Sequence, residues 1–452
     1  MTLPNYFLAD LPPEAVITPE LVAEACQSLK RNREQYLARR TTAQMIAVLA
    51  ASGANWLQPD DPFRRLALAR AAETGFSAAT LARGLDAFFR ELTADKLGAL
   101  VAAELGHPAR LEGFCADAHE QRQSRLGLAL GPELIVHVAA GNLPSPALHS
   151  LVLGVLLRSA QFMKCATGGA LLPRLFAHSL YELDPKLGAC LELAVWPGGA
   201  EAVEAALFAG ADVVTATGAD ETLAAIRQRL PARTRFVGHG HRVSFAFIAA
   251  EVLTPFNVPR LVARAAADVA AWDQLGCLSP HVLYVEPGGA ANAERFAELL
   301  AAELAVREQH EPRGALPPET AAQIAARRGL YEVRAAHSPA TRQWCSAGST
   351  AWTVVFEEEP RFQASCLNRF VYVKPVAGLA GLLAAADPVR RQVSTVGVAV
   401  PEHTLGEVAA ELARWGATRI CPLGRMQEPP LGWRHDGRPA LADLVTWADL
   451  EI

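Results

Sequence analysis

Cys277 is the residue of this sequence best placed for covalent chemistry. It stands in Gln274-Leu-Gly-Cys277-Leu-Ser-Pro-His281, between a helix-like run from Pro259 to Leu275 and a β-rich run that starts at His281. Gly276 tolerates the left-handed backbone that ends a helix, so Cys277 is expected on a connecting loop. Loops are where reactive groups concentrate. A thiolate there is a nucleophile for an acyl carbon. The plain alternative is packing, because cysteine is among the most buried residue types. The helix before Cys277 ends with the wrong sign of dipole to lower the thiol pKa. That leaves His281, His239 and His241 as candidates for a neighbouring cation or proton carrier, each with a structural alternative.

Two strand-to-helix turns could hold phosphate: Thr217-Gly218-Ala219, and Lys164-Cys-Ala-Thr167-Gly168-Gly169. Glycines let a phosphate approach the backbone, the helix N-terminus offers unpaired N–H groups, and Lys164 adds a cation at a strand end. Capping by Thr217 and an ordinary strand-end lysine are the plain readings. No GxGxxG is present. Asn142, before Leu-Pro144, reads by itself as a turn or helix cap. Cys165, Cys345, Cys366 and Cys421 read as packing residues, as do Trp56 and Phe88-Phe89.

The elements that must position these groups alternate from about Leu126. Strand-like runs at Leu134–Ala139, Gln161–Lys164, Leu191–Trp196 and Ala211–Ala216 are separated by helical runs at 147–157, 172–183 and 201–209, and a fourth helix follows at 220–230. That alternation predicts right-handed βαβ crossovers and a parallel sheet, with ligands at the carboxyl ends of its strands. Val243–Ile248, His281–Val285 and Val371–Pro375 are further strands, and 290–308 and 404–415 further helices. The stretch 311–318 reads as a surface excursion and Glu357–Glu359 as a solvated turn. Residues 1–120 read as amphipathic helices packed on the first sheet.

A chain of 452 residues is expected to hold two or three domains. No apolar run reaches membrane-spanning length, and the opening Met1–Tyr6 carries no export signal. Eight cysteines without CxxC pairs predict neither a disulfide framework nor a metal site. They suggest a reducing compartment, with the cytoplasm as the default. A net charge of −5 with interspersed signs argues against nucleic acid.

Four segments in order carry a resemblance: Ala140-Gly-Asn142-Leu-Pro144, Phe236–Phe245, Gln274–His281, and Thr418–Arg425 running on to His435-Asp-Gly437. Together they resemble the LuxC-like acyl-CoA reductase family of the aldehyde dehydrogenase superfamily. The resemblance implies an α/β, aldehyde dehydrogenase-like fold. A helical layer (1–120) packs on a Rossmann-like nucleotide domain (121–236), followed by a catalytic domain (237–425) and a C-terminal subunit-contact element (426–452) that makes a homo-oligomer expected. It further implies reduction of an acyl-CoA or acyl-carrier thioester to the aldehyde by NADPH, with NADH as the alternative. An acyl-transferring partner protein would be compatible. Cys277 falls on the nucleophile, Asn142 on the amide supporting the oxyanion, Lys164 on the lysine near the adenosine ribose, and Thr217-Gly218-Ala219 on the pyrophosphate turn. Where hydrolytic relatives carry a glutamate base, this chain has Gly238, His239, Gly240 and His241. Without a base to activate water, an acyl-cysteine survives to meet hydride. The family's Glu-Ile-Phe-Gly-Pro segment has no clear counterpart, and Cys366-Leu-Asn368-Arg369-Phe370 occupies roughly that place. The competing functions are non-redox acyl transfer or thioester hydrolysis through Cys277, and a non-catalytic scaffold.

Overall fold

The computed structural model describes residues 3–12 and 14–452. Of the opening segment searched for an export signal, Met1 and Thr2 lie outside the described residues. The chain forms two compact units, one of 1–74, 85–240 and 430–452, the other of 75–84 and 241–429.

In the first unit the strands are β1 (Arg125–Leu130), β2 (Leu134–Val138), β3 (Ala160–Cys165), β4 (Leu191–Val195), β5 (Val213–Thr217) and β6 (Arg235–His239). Five of them form a parallel sheet in the order β4-β3-β2-β5-β6. Helices cover both of its faces, so a central strand reads as a continuous buried run, and all six residues of β3 are buried. The N-terminal helices Pro19–Tyr36, Thr42–Trp56, Pro62–Ala69 and Ala94–Leu105 each start on a capping side chain, Thr18, Thr41, Asp61 and Thr93. The first packs Val22, Cys26 and Leu29 into a core with Val136, Phe162 and Val214. Trp56 stacks on Phe89 at 4.7 Å and donates its indole N–H to Ser179 Oγ at 2.9 Å, which makes both rings packing residues.

The second unit holds β7 (Val243–Ile248), β8 (Pro280–Val285), β9 (Thr341–Cys345), β10 (Thr353–Glu357), β11 (Phe370–Pro375), β12 (Val393–Ala399) and β13 (Arg419–Pro422). Their order is β13-β12-β7-β8-β11-β10-β9, parallel except for β9 at the edge. One face buries Val262, Ala266, Phe296 and Leu300, the other Phe245, Tyr284, Tyr372 and Trp415. The last strand, β14 (Thr446–Glu451), belongs to the first unit and pairs antiparallel with β1 from Arg125↔Glu451 to Leu130↔Thr446.

Two sequence expectations are corrected. The stretch 311–317 carries neither helix nor strand, and a 20-residue helix that no apolar period announces follows it, Pro318–His337, whose buried residues are Ile324 and Tyr331. Glu357 is no solvated turn: it is 4% exposed at the end of β10, 3.4 Å from Lys374 Nζ and 2.6 Å from Arg334. Cys345 is exposed rather than packed.

Candidate active site

The helix preceding Cys277 runs from Val258 only to Ala270. It does not reach Leu275, and Gly276 is not its left-handed terminator. Instead Trp272, Asp273 and Gln274 turn left-handed, with φ of 50°, 50° and 64°. Tertiary contacts impose this. Asp273 accepts from Arg369 Nε at 2.9 Å and from the Gly314 amide at 3.0 Å, and Gln274 Nε2 donates to the carbonyls of Pro280 (2.8 Å) and Phe370 (2.9 Å). Leucine, asparagine and arginine at 367–369 are left-handed as well.

Cys277 is half-buried on the loop that follows, as expected from the sequence. Its carbonyl accepts from Ser244 Oγ at 2.7 Å, and Ser279 N donates to Gly276 O at 2.9 Å. Burial pushes other thiols out of nucleophilic range, Cys26 and Cys421 up to about 11 and Cys165 and Cys190 up to about 12. Arg419 sits within the same unit near enough to feel a Cys277 thiolate. Burial lowers its pKa, and Cys421, Asp268 and Cys277 act to hold its charge. Sequence reasoning gave Arg419 no role, although it lies in the Thr418–Arg425 segment; only the folding of β13 places it there.

Of the three histidines, His281 is buried in β8. Its Nδ1 accepts from the Ser365 amide at 3.0 Å, and burial, aided by His241, pushes it down to about 4, so the ring is neutral. That environment suits a structural link. His241 is exposed in the same unit. His239 belongs to the first unit, where its ring stacks on His435 at 4.0 Å and its Nδ1 lies 3.3 Å from Asp436 Oδ2. The three side chains could in principle approach a metal ion. The two rings are parallel within 5°, however, so no point lies in both ring planes, where imidazole nitrogens donate. His239 also lines a cavity of about 60 Å³ with Thr215, Thr217, His149 and Arg438.

The remaining candidates cluster at the carboxyl ends of the first unit's strands, and the strand order reverses between β2 and β5, where open parallel sheets take ligands. Asn142 is exposed on the turn after β2. It is not a helix cap, since Pro144 holds that position without a side-chain bond. Lys164 is the next-to-last residue of β3 at 9% exposure, and no acidic side chain among the described residues pairs with it. The turn beyond it exposes Thr167 and Gly168, the latter at φ +82° with open space around it. Gly169 packs on Gly141, where a Cβ would come within 3.2 Å of backbone, so the Asn142 turn and the Lys164 turn lie side by side. An uncompensated buried cation beside an open glycine turn and an uncapped helix, Leu171–Leu183, fits an anionic ligand. Thr217-Gly218-Ala219 fits one less well. The cap residue there is Ala219 rather than Thr217, the Gly218 amide already donates to His239 O, and Asp220 and Glu221 occupy the first helical turn.

The family model described as Acyl-CoA reductase (LuxC) matches residues 37–447. The long-chain acyl-protein thioester reductase 2 of Photobacterium leiognathi is 22% identical over 321 residues, 70% of this chain and 63% of that protein. The chain therefore matches less than two thirds of that relative's length. Among solved structures, bifunctional proline utilization A superposes with a TM-score of 0.72 at 18% identity, over 99% of this chain and 46% of the other. An NAD-dependent benzaldehyde dehydrogenase from Corynebacterium glutamicum gives 0.68 at 11% identity, over 96% and 91%. These likenesses establish an aldehyde dehydrogenase-like α/β fold, as the resemblance implied. With its family model matched from residue 37 to residue 447, the chain belongs to the LuxC acyl-CoA reductase family.

Proposed function

We propose that this protein is an oxidoreductase that reduces a long-chain acyl thioester, carried by coenzyme A or by a protein, to the aldehyde through an acyl group held on Cys277. The observation that carries the reading is Cys277 itself, half-buried on a loop anchored at its carbonyl, in a family model that spans the chain. The Cys277 sulfur bonds to the carbonyl carbon as the carrier thiol leaves with its proton, and the sulfur is freed again when the aldehyde departs. Thiol exchange at an acyl carbon is nearly balanced in energy and leaves the acyl group activated. Asn142 is proposed as an amide donor to the developing oxyanion, a type of contact worth roughly 3–4 kcal/mol in a dry site.

NADPH, or NADH, supplies the hydride when bound. Lys164, Thr167 and Gly168 are the residues proposed to hold it, with Thr217, Gly218 and Ala219 at its edge. Lys164 would bond ribose hydroxyls or phosphate, and the 166–169 turn would present backbone amides. Neither His239 nor His241 is a carboxylate base for water, which favours reduction over hydrolysis. The name of the Photobacterium relative favours a protein-borne acyl group, and hence a partner that delivers it. The eight free thiols favour a reducing compartment, the cytoplasm. The β1–β14 ribbon is proposed as the subunit contact of a homo-oligomer.

Intact mass after incubation with a long-chain acyl-CoA tests the reading. The chain should gain one acyl group, Cys277→Ala should gain none, and NADPH should discharge the adduct with release of aldehyde. A native chain that acquires no adduct, or an adduct discharged equally by water alone, overturns it.

A further inference from the structure

Two runs of three consecutive residues hold every left-handed non-glycine residue described in the second unit: Trp272, Asp273 and Gln274, and Leu367, Asn368 and Arg369, with φ between 50° and 64°. Such backbone is unfavourable for residues with a Cβ and persists only where surrounding structure over-determines it. Here the two runs determine each other. Arg369 is 0% exposed and Asp273 3%. Arg369 Nε donates to Asp273 Oδ1 at 2.9 Å, and Nη2 touches the same oxygen at 2.7 Å. Nη1 donates to Glu308 Oε2 at 2.9 Å and to Glu311 O at 2.8 Å. The other Asp273 oxygen takes the Gly314 amide. Gln274 closes a second link through its bond to Phe370 O. Trp272 meets Phe76 edge-on at 5.2 Å and lies against Gly84, where a Cβ would overlap the indole.

The first run ends three residues before Cys277, and Leu275 N returns to Trp272 O at 2.9 Å. The chain from 272 to 277 is thus a short, hydrogen-bonded span with its origin fixed by the buried pair and its far end by Ser244. We propose that Asp273 and Arg369 are positioning residues, whose buried pair locks the two left-handed runs and thereby aims the Cys277 sulfur. The proposal rests on Cys277 being the nucleophile. It assigns a task to the 367–369 segment that is independent of any contact with the nucleotide.

The test uses the full chain carrying Asp273→Asn and Arg369→Gln together, a neutral pair able to keep one hydrogen bond. Circular dichroism and thermal unfolding report the fold. Acyl transfer to Cys277 is read by quenched-flow mass spectrometry, and iodoacetamide modification of Cys277 is followed by peptide mapping across pH. The folded double variant should acylate about 10²-fold more slowly, the scale of loss expected from an ångström-sized misplacement. kcat/KM for NADPH, which reports only the steps after acylation, should stay unchanged, and the pH profile of Cys277 alkylation should shift. Arg369→Lys keeps the buried charge without the planar fork and carries the test where the double variant does not fold; it too should acylate slowly. A folded variant with the native acylation rate and the native alkylation profile overturns the proposal. A native chain that takes no acyl group overturns the proposed function instead, and the alkylation profile then decides this inference alone.

Discussion

The hydroxyl of Ser244 donates to the carbonyl oxygen of Cys277 over 2.7 Å and accepts from the Thr395 amide at 3.1 Å. One side chain, 0% exposed, thereby ties the candidate nucleophile's backbone to the neighbouring strands β7 and β12. The bond to Thr395 is buried and that to Cys277 partly so, and together they tie the loop's position to the sheet beneath it.

Ser244→Ala leaves a buried amide and a half-buried carbonyl without that partner. The orphaned amide costs about 1–3 kcal/mol, so the urea midpoint should fall measurably. Iodoacetamide should also modify Cys277 at a changed rate in the folded variant, and an unchanged rate would show that the anchor does not govern the thiol.

His281 carries a pH signature. Burial pushes it down to about 4, against 6.5 for an exposed histidine. Between those values the unfolded chain binds a proton that the native one does not, so this group's contribution to stability is present above pH 6.5 and is lost as pH falls to 4. The slope is up to about 1.4 kcal/mol per pH unit. Gln at this position can still accept from the Ser365 amide. Chemical denaturation from pH 7 to pH 4 should therefore show His281→Gln losing less stability than the native chain. Acylation of Cys277 at neutral pH should survive, since the ring is proposed to be structural.

Lys374 is 0% exposed and donates to the carbonyls of Glu359 (2.8 Å) and Arg361 (2.9 Å) while facing Glu357. Glu357→Leu should cost about 3–5 kcal/mol by stranding that buried charge. Adding Lys374→Met should cost less than the sum of the two single changes, a coupling that denaturant titration of all four proteins measures.

Glu104 takes the backbone amides of Ala440 (2.8 Å) and Ala442 (3.1 Å), and that of Leu441 between them. Glu104→Ala should loosen the C-terminal segment, and limited trypsin digestion should then cut faster at Arg434. A rate of cleavage at Arg434 identical to the native one would count against this anchorage.

Much of this was legible in the residues. Runs such as Leu134-Ile-Val-His-Val and Val243–Ile248 mark buried parallel strands because both faces are covered, and a loop between periodic segments predicted where Cys277 lies. The path by which the chain reaches Cys277 was not legible. Three successive non-glycine residues in left-handed backbone are not signalled by tryptophan, aspartate and glutamine, although aspartate alone tolerates it, and the arginine bonded to Asp273 stands 96 positions away. Arg419 and Glu357 escaped for the same reason: their surroundings come from strands remote in the chain. Helix 318–337 escaped differently, because a helix that buries two residues of twenty shows little apolar rhythm.

The β1–β14 ribbon bears on how the protein is made. Residues 241–429 leave the ribosome after β1 and before β14, so the first unit stays unfinished until the second has been wholly translated. Throughout that interval β1 lacks its ladder, an open edge of the kind that nascent-chain chaperones shield from neighbouring polypeptides.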